Sequence, residues 1–529
     1  MITPKNFKLN KVACILAVIH WLVSFASDRL VFHYHLFDFA NLTSIAKAML
    51  AWGAKVAFLG LLIVIWNYIV YWITEIRSGN KSIRSYLKYS FIYFGIMLLF
   101  FIGLCPGLWR MDEFGILKDA TNILPNFWQG YLTSVFYIFS LMLIPNPVGI
   151  LLVQVGVISL IVGYIIYKCS NFIKSQWLVY VLYAPFLLFP VIDSNFYPIR
   201  MSLYAFLELL FVFELFIIKY ENREIKLKNL LLLASLVGIL VCWRTEAIYY
   251  IVLAPVTFIV LFYKETSRRT KIQFTVATFV IAIALTSVQL LGNKMTSGNE
   301  YELTSLMLPI TPLVNEAYEN GEEQIVATVD KVLDMNVLIK GYNEGQTGIA
   351  MYWKSSETNL KRAYTSEDFA NLKSAYYELI LKYPGVFLKE RVETFIGSTS
   401  LLNDTQTLFD KDALSNYVNF RETYHYSEPF IRSDLINLIE FTNNVKLHNV
   451  IYNALPQTII LIGACLVLLF KKKWGYFFIL ANVCAKIPLI FLTAPSRLFM
   501  YYYSIYLIGA VLVGILLVFG IDARVQNRK

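Results

Sequence analysis

The sequence predicts an all-α polytopic membrane protein: about twelve transmembrane helices, a re-entrant or interfacial helix, and a mainly helical extracytoplasmic domain. Three observations carry this. Apolar runs of 15–25 residues recur along the 529-residue chain. The composition is 57% hydrophobic with a mean hydropathy of +0.57, which no soluble fold needs. Clusters of Lys and Arg punctuate the runs, as cytoplasmic connectors do. At this segment length only helices satisfy every backbone group inside hydrocarbon.

In chain order the apolar segments are 12–27, 48–73, 89–107, 131–145, 148–167, 177–191, 203–219, 230–243, 247–263, 272–292, 449–470, 475–493 and 499–520. The first follows Lys5, Lys8 and Lys11 in the manner of a signal peptide. Ser24-Phe25-Ala26-Ser27 is a poor cleavage site, however, so an uncleaved helix is expected. The basic connectors are the N-terminus, Arg77 to Lys88, Lys168 and Lys174, Arg223 to Lys228, Lys264 to Lys271, Lys471 to Lys473, and Arg524 to Lys529. They fit one topology if 131–145 does not cross. That segment starts after Asn126 and Gly130 and ends in Pro145-Asn146-Pro147, as a re-entrant or interfacial helix would. Twelve crossings remain, with both termini cytoplasmic in the cell membrane.

Four parts follow. Residues 1–88 are an N-terminal two-helix extension, and 89–292 a membrane core whose first outer loop is 108–147. Residues 293–448 form the extracytoplasmic domain, and 449–529 a three-helix membrane segment. The domain carries 22 acidic and 14 basic side chains, although the whole chain is +10. The basic excess therefore lies in the membrane part, where it matches anionic inner-leaflet lipid and not nucleic acid. Within the domain, Thr365-Ser366-Glu367-Asp368 reads as a capping box. Phe369, Leu372, Tyr376, Leu379, Ile380 and Tyr383 then share a helix face, and Pro384-Gly385 ends it. The six cysteines lie in or beside apolar runs, with no disulfide framework or metal spacing, and the histidines show no zinc pattern.

The adjacent acids Asp112 and Glu113 stand in the first outer loop. Arg200, Arg244 and Arg497 stand at outer helix ends on the same membrane level. Arginine grips phosphate bidentately and keeps its charge, so three guanidiniums near two carboxylates suit a substrate whose leaving group is a lipid phosphate. Each feature has a plainer reading: arginines snorkel to headgroups, and adjacent acids decorate loop turns. Glu208, Glu214 and Lys486 fall inside apolar segments, where ionisable groups are paired or functional. They form either a structural Glu–Lys pair or an ion path. Outer aromatics including Trp109, Trp128 and Tyr197 fit an interfacial belt, and sugar stacking is unspecific.

These residues resemble the C-type glycosyltransferase superfamily, polytopic enzymes that use lipid-phosphate-linked sugars and carry an acidic motif in the first large outer loop. The resemblance rests on Cys105-Pro106-Gly107-Leu108-Trp109, Met111-Asp112-Glu113-Phe114, Tyr197-Pro198-Ile199-Arg200 and Trp243-Arg244-Thr245-Glu246. It extends to a bacterial branch with an outer domain before the last three spans, through Leu308-Pro309-Ile310, Ile339 to Asn343 and Leu381-Lys382-Tyr383-Pro384. It covers 89–505. Two features depart from it: the N-terminal pair of spans, and Asn126 to Gly130, which lacks a His-Pro-Pro-like signature.

The resemblance implies transfer of a sugar from a polyprenyl-phosphate lipid to an outer glycan, lipid or protein acceptor, with inversion. Asp112 would be the general base, with Glu113 its helper. Arg244, Arg497 and Arg200 would hold the phosphate, with Glu246, Trp109 and Tyr197 as acceptor or supporting residues. Asp112 and Glu113 could hold Mg²⁺ or Mn²⁺, but no cofactor is assigned. The rivals are a transporter or flippase of a lipid-linked glycan, driven through Glu208, Glu214 and Lys486, and a non-catalytic cell-envelope assembly subunit.

Overall fold

A computed structural model describes residues 9–353, 358–360, 363–401, 411–442 and 445–527. Lys5, Lys8, Arg528 and Lys529 of the basic ends lie outside the described residues. Among those described, every named element is a helix. The N-terminal part forms α1 (Lys11–Ser27) and α2 (Leu42–Arg77). The core follows as α3 (Lys81–Leu104), α4 (Met111–Thr121), α5 (Tyr131–Leu143), α6 (Val148–Ser170), α7 (Gln176–Val181), α8 (Phe189–Asn195), α9 (Arg200–Tyr220), α10 (Leu227–Trp243), α11 (Tyr250–Leu261) and α12 (Arg268–Ser297).

The inserted domain holds α13 (Glu300–Glu319), α14 (Glu323–Asp330), α15 (Met335–Asn343), α16 (Gly348–Tyr352), α17 (Ser366–Lys382), α18 (Pro384–Ser398), α19 (Lys411–Tyr424) and α20 (Arg432–Thr442). The chain ends with α21 (Val445–Ile451), α22 (Leu455–Phe470), α23 (Trp474–Cys484), α24 (Lys486–Thr493) and α25 (Tyr503–Asn527).

Each expected apolar segment is helical, but the count of full-length spans is lower than twelve. Nine helices among the described residues are long and apolar enough to cross a membrane, ten if one bent pair counts as a span. The differences have local causes. The 177–191 segment is bent by 67° between Gln176–Leu187 and Phe189–Asn195, where Pro185 and Pro190 interrupt the helical ladder. The 230–243 and 247–263 segments are short helices separated at Arg244, whose backbone is extended. The 131–145 segment is held to 13 residues by Gly130, at φ +83°, and by Pro145. At 1.5 Å per residue that is about 20 Å, short of the roughly 30 Å hydrocarbon core.

Three cores organise the chain. The largest is in the membrane bundle around α9, whose residues are nearly all buried. A second lies inside the inserted domain, where Phe369, Leu372, Tyr376 and Leu379 of α17 pack on α13. The α17 capping box is present as expected: Thr365 Oγ1 accepts from the Asp368 N–H at 3.1 Å, and Asp368 accepts from the Thr365 N–H at 2.9 Å. The third joins α1 and α2 to α4 and α5, through Ala17, Phe58, Ile116 and Leu117. The N-terminal extension thus buttresses the segment that carries Asp112. Lys55 and Asp28, 2.6 Å apart and buried, fasten the extension internally.

Candidate active site

The segment expected as a loop around Asp112 and Glu113 contains a helix. Helix α3 stops at Leu104, ahead of Pro106, and the chain turns through Gly107 at φ +109°. A side chain on Gly107 would strike Leu151 at 2.0 Å. Arg110 is extended, and α4 starts at Met111, so the two acids fall in its first turn. Carboxylates there complement the positive end of the helix dipole.

The two acids face different surroundings. Glu113 is fully buried. Its Oε2 accepts from the Arg110 backbone N–H at 3.0 Å, closing the helix N-terminus, while its Oε1 has no partner. Burial lifts its pKa to about 7, Arg110 opposing and Asp112 adding to the rise. Asp112 is open to solvent, yet protein crowds it on several sides. This partial desolvation raises its pKa, against the pull of Arg200 and Arg110 and of the Gln129 side chain, which comes near enough to donate to it.

Arg200 begins α9, at the helix end where a cation is disfavoured by the dipole. Asp112 and Glu246 both act on it electrostatically and compensate. Its Nη1 donates to the Trp243 carbonyl at 3.4 Å, and its Nε is unpaired. Arg244 is 4% exposed and ion-paired to Glu246. Its guanidinium lies 5.7 Å from the Tyr204 ring centre and 5.5 Å from that of Tyr501. Arg244, Glu246, Tyr204, Tyr501, Met201 and Lys486 line a crevice too narrow for a water molecule.

The expected constellation is therefore brought together in part. Asp112, Arg200, Glu246 and Arg244 form one electrostatic chain. Arg497 is engaged elsewhere: its Nη2 donates to Glu390 at 3.1 Å and to Glu393 at 2.8 Å, both on α18. Trp109 is a core residue, its Nε1 donating to the Pro106 carbonyl at 3.0 Å and its ring packed on Phe114 and Phe420. Tyr197 is buried beneath the Arg110 guanidinium, 4.2 Å from the ring centre. Among the described residues no three His, Cys, Asp or Glu side chains gather as a metal site. Asp112 and Glu113 turn into different surroundings, a poor fit to a shared divalent cation.

Arg110 is the residue that sequence reasoning passed over. It stands within three positions of both acids, and it acts on Asp112, Glu113 and Tyr197. Its place two residues ahead of Asp112 is the sequence signal for this role.

The intramembrane acids separate into two sites. Lys486 Nζ lies 2.5 Å from Glu208 Oε2 and 2.9 Å from both Tyr204 Oη and Ser504 Oγ. Tyr250 Oη donates to Glu208 Oε1 at 2.8 Å. Glu214 instead accepts from Tyr164 and pairs with Arg223 at 3.4 Å.

Comparison with protein-family models, curated proteins and solved structures finds no match for this chain.

Proposed function

We propose that this protein is a membrane glycosyltransferase of the C-type superfamily that moves a sugar from a polyprenyl-phosphate donor to an extracytoplasmic acceptor. The observation that carries this reading is Asp112: a solvent-open carboxylate, raised in pKa, flanked by two guanidiniums at a helix start. As base, Asp112 takes the proton of the acceptor hydroxyl. That oxygen bonds to the sugar's anomeric carbon from the face opposite the phosphate, so the configuration inverts. The bond from the anomeric carbon to the phosphate oxygen breaks, and the electron pair leaves with the lipid phosphate. Arg200 and, behind it, Arg244 stabilise the charge developing there. Arg110 opposes the rise in the Asp112 pKa, and Glu113 holds the start of α4. Arg497 is spent on Glu390 and Glu393, so it tethers the inserted domain to the 494–498 turn.

The transporter reading needs Glu208, Glu214 and Lys486 on one polar path. Glu208 pairs with Lys486, whereas Glu214 is occupied by Tyr164 and Arg223, and this favours the transferase. The test is incubation of the purified protein in lipid nanodiscs with a panel of polyprenyl-phosphate sugars, following release of the lipid phosphate. Asp112→Asn is expected to abolish release while the protein remains folded. Undiminished release from that variant refutes the assignment.

A further inference from the structure

One aromatic cluster is left unused by the proposed chemistry, and it sits where the first loop meets the inserted domain. Trp128 precedes Gln129, the side chain that reaches Asp112. Its indole meets Tyr301 of α13 at 5.4 Å and 84°, and Trp353 at 5.7 Å and 79°. Trp353 meets Tyr352 at 5.0 Å and 89°. Near-perpendicular rings make an angular corner, not a flat stack. Tyr352 belongs to the domain core, but Trp353, the next residue, stands 61% exposed. Trp353 thus offers an open indole face at a corner whose other two rings, Trp128 and Tyr301, are half-buried.

The Trp128 side of the corner is fixed from below. The Gln289 side chain accepts from the Tyr131 N–H at 2.9 Å and donates to the Phe127 carbonyl at 2.7 Å. Asn126 accepts from the Gln129 N–H at 2.9 Å and donates to Asp119 at 2.7 Å. Phe127 fills the space above Gly292, where an added Cβ would meet its ring at 2.0 Å. The loop therefore presents Trp128 without the ordering cost that a mobile loop would incur on binding. A carboxylate completes the corner: exposed Glu300 accepts from Tyr352 Oη at 3.2 Å.

We propose that Trp128, Trp353 and Tyr301 form a carbohydrate-binding platform that takes a neutral hexose unit of a glycan acceptor. One face of a pyranose presents polarised C–H groups, which suit the negative face of an indole. The ring edge presents hydroxyls, which suit a carboxylate such as Glu300. Trp128 is one residue along the chain from Gln129, whose side chain acts on Asp112, and this links the corner to the proposed base. The acceptor role rests on the transferase reading, whereas sugar binding itself does not.

Saturation-transfer NMR on the nanodisc-embedded protein, with the neutral disaccharides cellobiose, maltose, mannobiose and N,N′-diacetylchitobiose as probes, separates the two. At least one disaccharide is expected to bind. Trp353→Ala should weaken it at least tenfold, and Trp353→Phe much less. Tyr318→Ala, an exposed ring elsewhere on α13, should leave it unchanged. Absence of binding by every probe, or equal binding by Trp353→Ala, overturns the proposal while leaving the Asp112 chemistry standing. Quenching of Trp353 by brominated lipid with no saccharide bound also overturns it, and makes the ring a membrane anchor. Trp353-dependent binding by a protein that releases no lipid phosphate from any donor keeps the platform and removes the transferase.

Discussion

Replacing Glu113 by Gln should make the protein more stable in mild alkali. In the unfolded chain this carboxyl titrates near 4.5, whereas in the folded protein burial holds it at about 7. Between those values the folded state keeps a proton that the unfolded state has lost, so stability falls as pH rises through the interval. Below it the group is neutral in both states and costs nothing; above pH 7 the cost is complete. At roughly 1.4 kcal/mol per pH unit, that cost is on the order of 3 kcal/mol. Glutamine cannot ionise, and its amide oxygen can still accept the Arg110 N–H that Oε2 accepts at 3.0 Å. Its NH₂ would replace Oε1, already unpartnered, so one orphan exchanges for another. The measurement is the apparent thermal midpoint at one scan rate in detergent, at pH 5.5 and 8.5, read as the difference between variant and native so that other titrating groups cancel. Glu113→Gln should gain on the native protein at pH 8.5 and lose most of that gain at pH 5.5. A variant that is equally destabilised at both values would refute the account of Glu113 as a buried, neutralised cap.

Four further predictions concern the charges in and around the site. Lys486→Met strands Glu208 in the bundle and should cost about 3–5 kcal/mol, whereas adding Glu208→Gln should recover most of that; thermal midpoints of the two single variants and the double variant read the coupling, and strict additivity would count against a structural pair. Arg200→Lys should cut the rate of phosphate release at least tenfold, because an ammonium cannot supply the bidentate fork. Arg497→Ala should instead raise protease sensitivity around α18, and a loss in kcat matching that of Arg200→Lys would return Arg497 to the phosphate site. Arg432→Met removes the donor to the Leu104, Cys105 and Gly107 carbonyls. It should destabilise by about 3 kcal/mol and speed amide hydrogen exchange across 108–121; unchanged exchange there would mean that the turn holds itself.

Helices were legible because thirteen apolar runs leave the backbone no other way to satisfy itself in hydrocarbon. Where spans would shorten or break was less so. Pro185 and Pro190 were visible in the 177–191 run, but a proline can kink a helix or end it, and packing decides which. The α4 helix was missed because its sequence, Met111 to Thr121, is only weakly amphipathic and follows a turn. The role of Glu113 as its cap went with it. That Asp112, Arg200 and Arg244 interact along one chain of charges fits their places at helix ends, which the sequence displays. The partners of Arg497 were not legible, because Glu390 and Glu393 lie more than a hundred residues away along the chain, and no periodicity links them.

The inserted domain does more than cover the membrane core, because its arginines terminate the core's own helices. Arg432, 3% exposed, donates to the carbonyls around the end of α3, on the turn that leads into Asp112. Arg391, fully buried, donates to the Leu492 and Ala494 carbonyls at 3.4 and 3.0 Å, at the end of α24. Both serve as cationic caps where helix dipoles are negative. Arg497 returns the contact from the core to Glu390 and Glu393. The domain is thus fastened to the turn before α4 and to the 494–498 turn, while Trp128 meets Tyr301 across a third seam. These seams bracket the electrostatic chain from Asp112 to Arg244, so a displacement of the domain would move the carboxylate's helix and the 494–498 turn together. An extramembranous domain bound only for recognition could be joined by one flexible linker. One that caps two core helices and sets Trp353 against Trp128 of the first loop is built into the geometry of the site.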